Sequence, residues 1–500
     1  MFGLLFLIID FVRGIISVKQ PNILLIVADD LGYNDVSWHN PYIRTPNLEK
    51  LAKAGVILEQ SYVLPVCTPT RSALVTGRYP IHTGRQHGVI SPEEPRGLLT
   101  NLTILPEYLK MVNYSTHMVG KWHLGFCNKR YLPTSRGFDS FYGYYTGAEG
   151  YFSHSRRGRL VPHVAGYDFR NQEEVDREAA GIYSAHLFAK KTIQLIESSR
   201  NSKTPFFIYL AFQNVHSPLQ VPEKYEKPFS KVKNKARRTL SGMVLALDEA
   251  VGNISEALKT SGKLSNTLIV FTTDNGGQTL NGGNNFPLRG NKATLWEGGT
   301  RGPAFIHGSM LQDRGRISHG LIHVTDWLPT LLSAVGGSNI IPGDIDGVSQ
   351  WSSLVKNTPS PRQTMLYNID PIPSRRGNGP GGAVRHGYFK LIRGDPGRPD
   401  GWIRPEDVQD IDEEFGNKRN FETNINKNKR NILLFNLKED PYERRDISNK
   451  YKKKARQLES ILDGYHDSMM TPNIANDDPL GSPGNYGGIW SSGWCEALPK

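Results

Sequence analysis

The run Pro21-Asn22-Ile23-Leu24-Leu25-Ile26-Val27-Ala28 is followed directly by Asp29-Asp30. A short, continuous apolar run of this kind predicts a strand buried on both faces, as in a mostly parallel sheet. Similar runs occupy 206–212 and 268–271, and helical patterns occupy 47–54, 103–112, 181–198 and 238–260. Strands that alternate with helices predict a layered α/β domain with a large, mixed, mostly parallel sheet flanked by helices.

Polar side chains follow two of the predicted strands. Asp29-Asp30 follow the first run, and Asp274-Asn275 come shortly after the run at 268–271. Sites in such sheets form at the carboxyl ends of the strands. Carboxylate and amide oxygens are hard ligands, suited to calcium or magnesium and not to zinc. A turn or a helix cap explains either pair alone, but the two pairs together favour a metal site.

The pattern changes after about residue 355. Short strand-like runs within 365–394 and at 433–437, followed by a charged helix at 448–465, predict a small antiparallel sheet with a helix. The segments 371–382 and 470–490 are predicted to be loops. We therefore expect a catalytic domain over 19–355 and a smaller α+β subdomain over 356–500.

The N-terminus begins with the apolar run 1–9, which is too short to cross a bilayer. It predicts a secretory signal peptide over 1–18, with a membrane-facing or buried N-terminal segment as the alternative. No later stretch is long and apolar enough for a transmembrane helix. Sequons at Asn101, Asn113 and Asn253 also favour the secretory pathway, with a lysosomal or extracellular destination.

The net charge of +12 suits an anionic partner, such as nucleic acid, an acidic membrane or a sulfated polysaccharide. A solvated basic surface is the simpler alternative, and the basic clusters at 231–238 and 452–454 are interpreted in that way. The composition, with 38% hydrophobic and 22% charged residues, is that of a globular protein and excludes a collagen-like or disordered chain.

The segment Cys67-Thr68-Pro69-Thr70-Arg71 has the features of a helix start. The proline predicts Thr68 as the N-cap and Pro69 as the first helical residue, with the helix ending at Gly77. Cys67 would then lie at the helix entrance, where the helix dipole favours negative charge, and Arg71 about one turn inside. The segment alone indicates a nucleophile or an anion site, and a buried cysteine beside a helix cap is the alternative.

The pattern Cys-X-Pro-X-Arg resembles the modified site of the sulfatases. The resemblance extends through Gly77-Arg78-Tyr79-Pro80 and 120–125, and it covers the chain from Pro21 to about residue 443. The segments 214–220, 273–278 and 295–299 look most similar to the arylsulfatase B group. The resemblance implies an alkaline-phosphatase-like sulfatase fold and an enzyme that hydrolyses sulfuric esters. No nucleic-acid partner is expected.

The same resemblance implies the residues of the site. Cys67 is expected to be oxidised to formylglycine by a formylglycine-generating enzyme, and one calcium ion is expected per chain. The implied calcium ligands are Asp29, Asp30, Asp274, Asn275 and the modified Cys67. The implied catalytic residues are Cys67, Arg71, Lys121, His123, His216 and Lys292, of which Lys121, His216 and Lys292 also bind the substrate.

A mechanism follows from this assignment. One hydroxyl of the hydrated formylglycine attacks sulfur, while Arg71, Lys121 and Lys292 hold the sulfate oxygens. His216, together with Lys292, protonates the leaving alcohol, and an acidic compartment would favour His216 as the acid. The second hydroxyl then gives its proton to His123, the carbonyl of formylglycine re-forms, and sulfate is released as the bond to it breaks.

The substrate is the least determined part of the prediction. The arylsulfatase B group implies a sulfated sugar such as N-acetylgalactosamine 4-sulfate, and small sulfated metabolites such as aryl sulfates or glucosinolates are the alternative. A phosphate or phosphonate ester hydrolase and an inactive glycan-binding relative are weaker alternatives. The segment 155–162 lacks the cysteines of the arylsulfatase B group, and its arginines are predicted to form a different, anion-facing rim.

The chain has three cysteines, an odd number for a secreted protein. If Cys67 is consumed by modification, Cys127 and Cys495 are left either to form a disulfide or to remain as two free thiols.

Overall fold

The structure, a computed structural model, describes residues 20–160, 163–373, 380–404 and 432–497. The predicted signal peptide lies outside these residues. The strands are β1 (Asn22–Ala28), β2 (Val56–Leu58), β3 (Ser61–Tyr62), β4 (Ser115–Lys121), β5 (Ser140–Tyr144), β6 (Ser155–Arg157), β7 (Ala165–Tyr167), β8 (Arg170–Asn171), β9 (Glu174–Val175), β10 (Phe206–Ala211), β11 (Thr267–Thr273), β12 (Phe305–His307), β13 (Arg316–Ser318), β14 (Ile322–His323), β15 (Thr364–Asp370), β16 (Gly381–His386), β17 (Phe389–Gly394) and β18 (Ile432–Asn436). The helices are α1 (Pro46–Ala54), α2 (Cys67–Thr76), α3 (Leu105–Met111), α4 (Ser184–Ser198), α5 (Glu223–Glu226), α6 (Lys235–Thr260), α7 (Glu297–Thr300), α8 (Trp327–Ala334), α9 (Trp351–Lys356) and α10 (Lys452–Asp467).

A ten-stranded sheet forms the centre of the molecule, in the order β13-β2-β12-β11-β1-β10-β4-β5-β8-β9. Its middle is parallel, because β11, β1, β10, β4 and β5 all run in one direction. Antiparallel pairs lie toward both edges, at β11-β12, β12-β2, β5-β8 and β8-β9. The sheet is therefore mixed but mostly parallel in its core, as the sequence predicts.

Strand β1 is buried on both faces, which explains its continuous apolar run. Ile23, Leu25 and Val27 join one hydrophobic core together with residues of α2 and α8. Leu24 and Ile26 point to the other face and pack in a second core with residues of α4 and α6. Burial of such side chains stabilises the fold by roughly 1.5–3 kcal/mol each, so helices on both faces are what this strand requires.

The second sheet is antiparallel, in the order β15-β16-β17-β18, and α10 packs against it. The predicted strands are present, and the predicted helix begins and ends later than expected, at Lys452 and Asp467. The division of the chain near residue 355 stays a prediction. None of the helices in the described ranges has the length and apolar character needed to cross a bilayer.

The C-terminal tail returns to the large sheet. Cys127 and Cys495 form a disulfide, so the alternative of two free thiols is wrong. Trp490 is fully buried in the core that lines one face of the large sheet. The predicted loop at 470–490 includes two short 3-10 turns, Pro479–Gly481 and Pro483–Tyr486.

Candidate active site

The predicted acids meet at the carboxyl ends of neighbouring strands. β1 and β11 are parallel with Ala28 opposite Thr273, so Asp29-Asp30 leave the sheet beside Asp274-Asn275. The Nδ2 of Asn275 donates to Oδ1 of Asp30 at 2.7 Å, and the amide of Asp30 donates to Oδ1 of Asp274 at 3.2 Å. All four side chains are buried. The sheet register therefore brings together the residues that the sequence separates by more than 240 positions.

These residues fit a hard divalent cation. Oδ1 of Asp29 and Oδ1 of Asn275 are buried and have no hydrogen-bond partner among the described residues. Carboxylate oxygens of Asp29 and Asp274 and the Sγ of Cys67 lie within 4.8 Å of one another. Burial, together with the charge of Asp274, raises the pKa of Asp29 to about 7. Buried oxygens without a partner are unfavourable, and a hard cation would provide the partner that these two oxygens lack.

Cys67 is the first residue of α2, and Val66 is the N-cap. The predicted cap at Thr68 is wrong: its Oγ1 instead donates to the carbonyl of His123 and accepts from the amide of Ile90, both at 3.2 Å. Pro69 is tolerated at the third position because the first amides of a helix have no intrahelical acceptor. The predicted helix end at Gly77 is confirmed, with a left-handed φ of 68°. Cys67 is buried, and burial raises the pKa of its thiol.

The guanidinium of Arg71 donates its hydrogen bonds to other residues of the protein. Its Nε and Nη2 donate to Oδ2 of Asp274 at 3.1 and 2.8 Å, and its Nη1 donates to the carbonyl of Lys121 at 3.1 Å. The side chain is fully buried, 3.7 Å from Asp29. This geometry revises the predicted contact between Arg71 and the sulfate, because the guanidinium is occupied with holding a carboxylate.

Two lysines bind two different acids of this cluster. The Nζ of Lys121, at the end of β4, lies 2.5 Å from Oδ2 of Asp29, and the Nζ of Lys292 lies 2.5 Å from Oδ1 of Asp30. Burial alone would lower the pKa of Lys292, but the charge of Asp30 outweighs it and raises that pKa. The ammonium group of Lys292 therefore stays charged beside Asp30.

The hydrogen bonds of His123 determine its tautomer. Its Nε2 lies 3.1 Å from the carbonyl oxygen of Ile90, which can only accept, so Nε2 carries the proton. Its Nδ1 is buried and has no partner in the described parts of the chain. Burial and the charge of Lys121 hold the pKa of His123 well below its usual value. His123 is therefore a neutral ring with a free lone pair.

His216 also lies beside Asp30. Its Nδ1 lies 2.5 Å from the carbonyl of Ser217, so this nitrogen donates, and its Nε2 lies 3.9 Å from Oδ2 of Asp30. Burial and the charge of Lys292 lower the pKa of His216 to about 3, despite the opposing charge of Asp30. The prediction that an acidic compartment charges His216 is therefore not favoured, because the ammonium group of Lys292 is already charged beside it.

Sequence reasoning missed the groups that orient these rings. The carbonyl of Ile90 holds His123, and the hydroxyl of Tyr151 donates to the carbonyls of Gln213 and His216 at 2.9 and 2.8 Å. A main-chain carbonyl has no residue-type signature, so no motif could have revealed the contact with Ile90.

Comparison with known proteins identifies the family. A family model described as Sulfatase matches residues 21–337. The chain belongs to the sulfatase family. Arylsulfatase J of Mus musculus is 39% identical to this sulfatase, over 97% of this chain and 82% of the mouse protein. N-acetylgalactosamine-6-sulfatase of the same species is 29% identical, over 70% of this chain and 69% of that protein.

A solved structure is similar over nearly the whole sulfatase chain. The crystal structure of Ps i-CgsB in complex with k-i-k-neocarrahexaose superposes with a TM-score of 0.76 and 28% sequence identity, covering 92% of this chain and 96% of that one. The predicted family, fold class and enzyme class, that of the sulfuric ester hydrolases, are thereby confirmed. Membership of the arylsulfatase B group stays a prediction.

Proposed function

We propose that this sulfatase hydrolyses a sulfate ester on a sugar, with N-acetylgalactosamine 4-sulfate as the first substrate to test. The observation that carries the proposal is the buried pair of unpartnered oxygens, Oδ1 of Asp29 and Oδ1 of Asn275, beside Cys67. Such a cluster has no structural advantage as a bare set of charges. The cluster has a functional advantage when a cation and an anionic group of the substrate bind to it.

Calcium would be held by Asp29, Asp30, Asp274, Asn275 and the side chain at position 67. When bound there, calcium supplies a positive charge that stabilises the negative charge developing on the sulfate group. Formylglycine at position 67, made from Cys67 by a formylglycine-generating enzyme, supplies an oxygen nucleophile that a thiol cannot. The location of Cys67 at the start of α2 places this nucleophile at the positive end of the helix dipole.

The flanking cations have separate roles in this proposal. Lys121 and Lys292 bind the sulfate from opposite sides, and Lys292 provides the proton for the leaving alcohol. His216 binds the substrate and orients the side chains of Asp30 and Lys292. The free Nδ1 of His123 accepts a proton from the side chain at position 67. Arg71 positions Asp274 and does not contact the substrate.

A sugar substrate is supported by two comparisons. One relative is named for N-acetylgalactosamine 6-sulfate, and the structural neighbour was solved with a neocarrahexaose. The net charge of +12 agrees with a sulfated glycan. Small sulfates, such as aryl sulfates and glucosinolates, are the competing substrate class, and a substrate panel that contains both classes decides between them.

The secretory pathway, with a lysosomal or extracellular destination, is the proposed location. The three sequon asparagines, Asn101, Asn113 and Asn253, are all exposed and so accessible to glycosylation. Enzymatic removal of N-glycans followed by peptide mass spectrometry would establish which of the three are modified.

Mass spectrometry of the peptide that contains residue 67, combined with kinetics, tests the activity. We expect formylglycine at position 67 and faster hydrolysis of a sulfate ester than of the phosphate ester of the same alcohol. A Cys67→Ala variant should lose turnover, while an exposed-site control, Arg130→Ala, should keep it. An unmodified thiol throughout, or a preference for phosphate, would refute the proposal.

A further inference from the structure

Arg156 is a cation near the site to which the proposed mechanism gives no role. It lies in the middle of β6, which pairs with β7 in a two-stranded antiparallel hairpin, with Arg156 opposite Gly166. This strand lies within the segment 155–162, whose arginines the sequence predicts to form an anion-facing rim. Its neighbour Arg157 is exposed to solvent, as expected because adjacent residues of a strand point to opposite faces.

The main chain at Arg156 is held firmly. Its carbonyl accepts a hydrogen bond of 3.1 Å from the indole Nε1 of Trp490, which is fully buried. The neighbouring strand is bound to the same tail, since the amide of Trp490 donates to the carbonyl of Tyr167 at 3.0 Å. The Cys127–Cys495 disulfide fixes this tail to the catalytic domain. A side chain on such a support is positioned before any ligand arrives.

One nitrogen of the Arg156 guanidinium lacks a partner, although the residue as a whole is partly buried. Its Nη1 is buried and has no hydrogen-bond partner among the residues that the structure describes. Burial lowers the pKa of Arg156, and the opposing charge of Asp168 does not restore it. An unpartnered guanidinium N–H away from water is unfavourable, because arginine stays charged at any physiological pH.

Arg156 also acts on the reacting groups. After burial and Lys121, the charge of Arg156 is the next cause that lowers the pKa of His123. The Cys67 side chain is among the groups that influence Arg156 in turn. Arg156 is thus within electrostatic range of both the nucleophile position and the proposed base.

The other cations of the site differ from Arg156 in that each has a carboxylate partner. Arg71, Lys121 and Lys292 each have a carboxylate partner in Asp274, Asp29 and Asp30 respectively. Within the described ranges, no carboxylate is hydrogen-bonded to Arg156 in the same way. A guanidinium group matches the planar oxygen pairs of a carboxylate or the oxygens of a sulfate.

We propose that Arg156 determines specificity by binding a second anionic group, a carboxylate or a further sulfate, on the saccharide that carries the scissile sulfate. This inference rests on the proposed sulfatase function. It deepens that function by selecting glycans with two anionic groups over singly charged sulfate esters.

Kinetics with three matched substrates tests the inference. The substrates are a monosulfated saccharide, the same saccharide with a neighbouring uronic acid, and the same saccharide with a second sulfate. We expect Arg156→Gln to lower kcat/KM for one of the doubly charged substrates about 10- to 100-fold more than for the monosulfated one, mainly through KM. The doubly charged substrate that responds identifies the anion as a carboxylate or a sulfate. Arg156→Lys should recover part of the loss.

Arg157→Gln is the matched control, since it removes the same charge from the exposed face of the same strand. It should leave all three values within about twofold, as surface charges contribute little. An equal loss on all three substrates with Arg156→Gln would overturn the inference, because Arg156 would then act on the scissile sulfate. No loss on any substrate would overturn it as well.

Binding provides a readout that is independent of turnover. In a Cys67→Ala background, calorimetry should show weaker binding of the responsive saccharide when Arg156→Gln is added, and unchanged binding when Arg157→Gln is added. Equal binding by the Arg156→Gln and Arg157→Gln variants would contradict the inference. A wild-type enzyme that carries formylglycine yet hydrolyses no sulfate would instead refute the proposed function, so the two failures are distinguishable.

Discussion

Arg71 and Asp274 are joined by two hydrogen bonds to one oxygen: Nε and Nη2 of the arginine lie 3.1 and 2.8 Å from Oδ2. Both side chains are completely buried. The other oxygen of Asp274 accepts from the amide of Asp30. The arginine of the sequence motif therefore acts through the proposed metal ligands, and its loss would disturb both the fold and the metal site.

Replacing Arg71 by methionine should destabilise the protein by about 3–5 kcal/mol, because a buried carboxylate loses its partner. The free energy of unfolding in urea, measured at saturating calcium, checks this. The control is Arg130→Met, a change at an exposed arginine, for which the change should be under about 0.5 kcal/mol. A loss below about 1 kcal/mol for Arg71→Met would show that calcium alone can neutralise Asp274.

Calcium should stabilise the protein more at pH 8 than at pH 5. In the folded protein without metal, Asp29 has a pKa of about 7, raised from 3.8 by burial and by Asp274. Below that pH a proton occupies the carboxylate and competes with the cation; above it the carboxylate is free to bind. The calcium-induced rise in Tm, measured with and without chelator, should therefore decline as the pH falls through about 7.

Asp29→Asn is the control for this pH dependence, because an amide has no proton to exchange in this range. Its calcium-induced shift should be smaller than that of the wild type and the same at both pH values. A wild-type shift that does not change between pH 5 and pH 8 would mean that Asp29 is ionised throughout.

The sequence was sufficient where a feature has a local signature. The apolar run of β1 predicted a buried parallel strand, which the structure confirms, while the metal site at its end stays a prediction. The contacts of Arg71 and His123 could not be predicted in the same way. Both depend on main-chain carbonyls, of Lys121 and Ile90, that only the tertiary fold brings close.

The tautomer of His123 leads to a kinetic prediction. Since its Nε2 donates to the carbonyl of Ile90 and its Nδ1 has no partner among the residues described, the ring is arranged to accept a proton. His123→Ala should lower kcat about 10²- to 10⁴-fold with a smaller change in KM. Steady-state kinetics on a small sulfate ester checks this, with mass spectrometry to confirm that formylglycine formation at position 67 is unchanged.

His117 provides the comparison for His123. It lies on β4, only partly exposed, and its Nδ1 lies 2.7 Å from the hydroxyl of Ser140, away from the proposed catalytic groups. His117→Ala should leave kcat within about twofold, as expected for a change outside the site. If both variants lose activity equally, the effect of His123 is structural and the proton-acceptor role is wrong.

Lys390 should contribute to stability without a direct part in catalysis. Its Nζ, on β17 of the small sheet, lies 3.0 Å from Glu297 and 2.7 Å from Glu443, and all three side chains are fully buried. Burial raises the pKa of Glu443 to about 7, which the charge of Lys390 opposes.

Lys390→Met would leave two buried carboxylates without their cation and should cost about 3–5 kcal/mol in the free energy of unfolding. The loss should be smaller at pH 5 than at pH 8, because a protonated Glu443 no longer needs a counter-charge. Lys452→Met, at an exposed lysine, should have no such effect, and a pH-independent loss for Lys390→Met would show that Glu443 does not change its protonation between the two pH values.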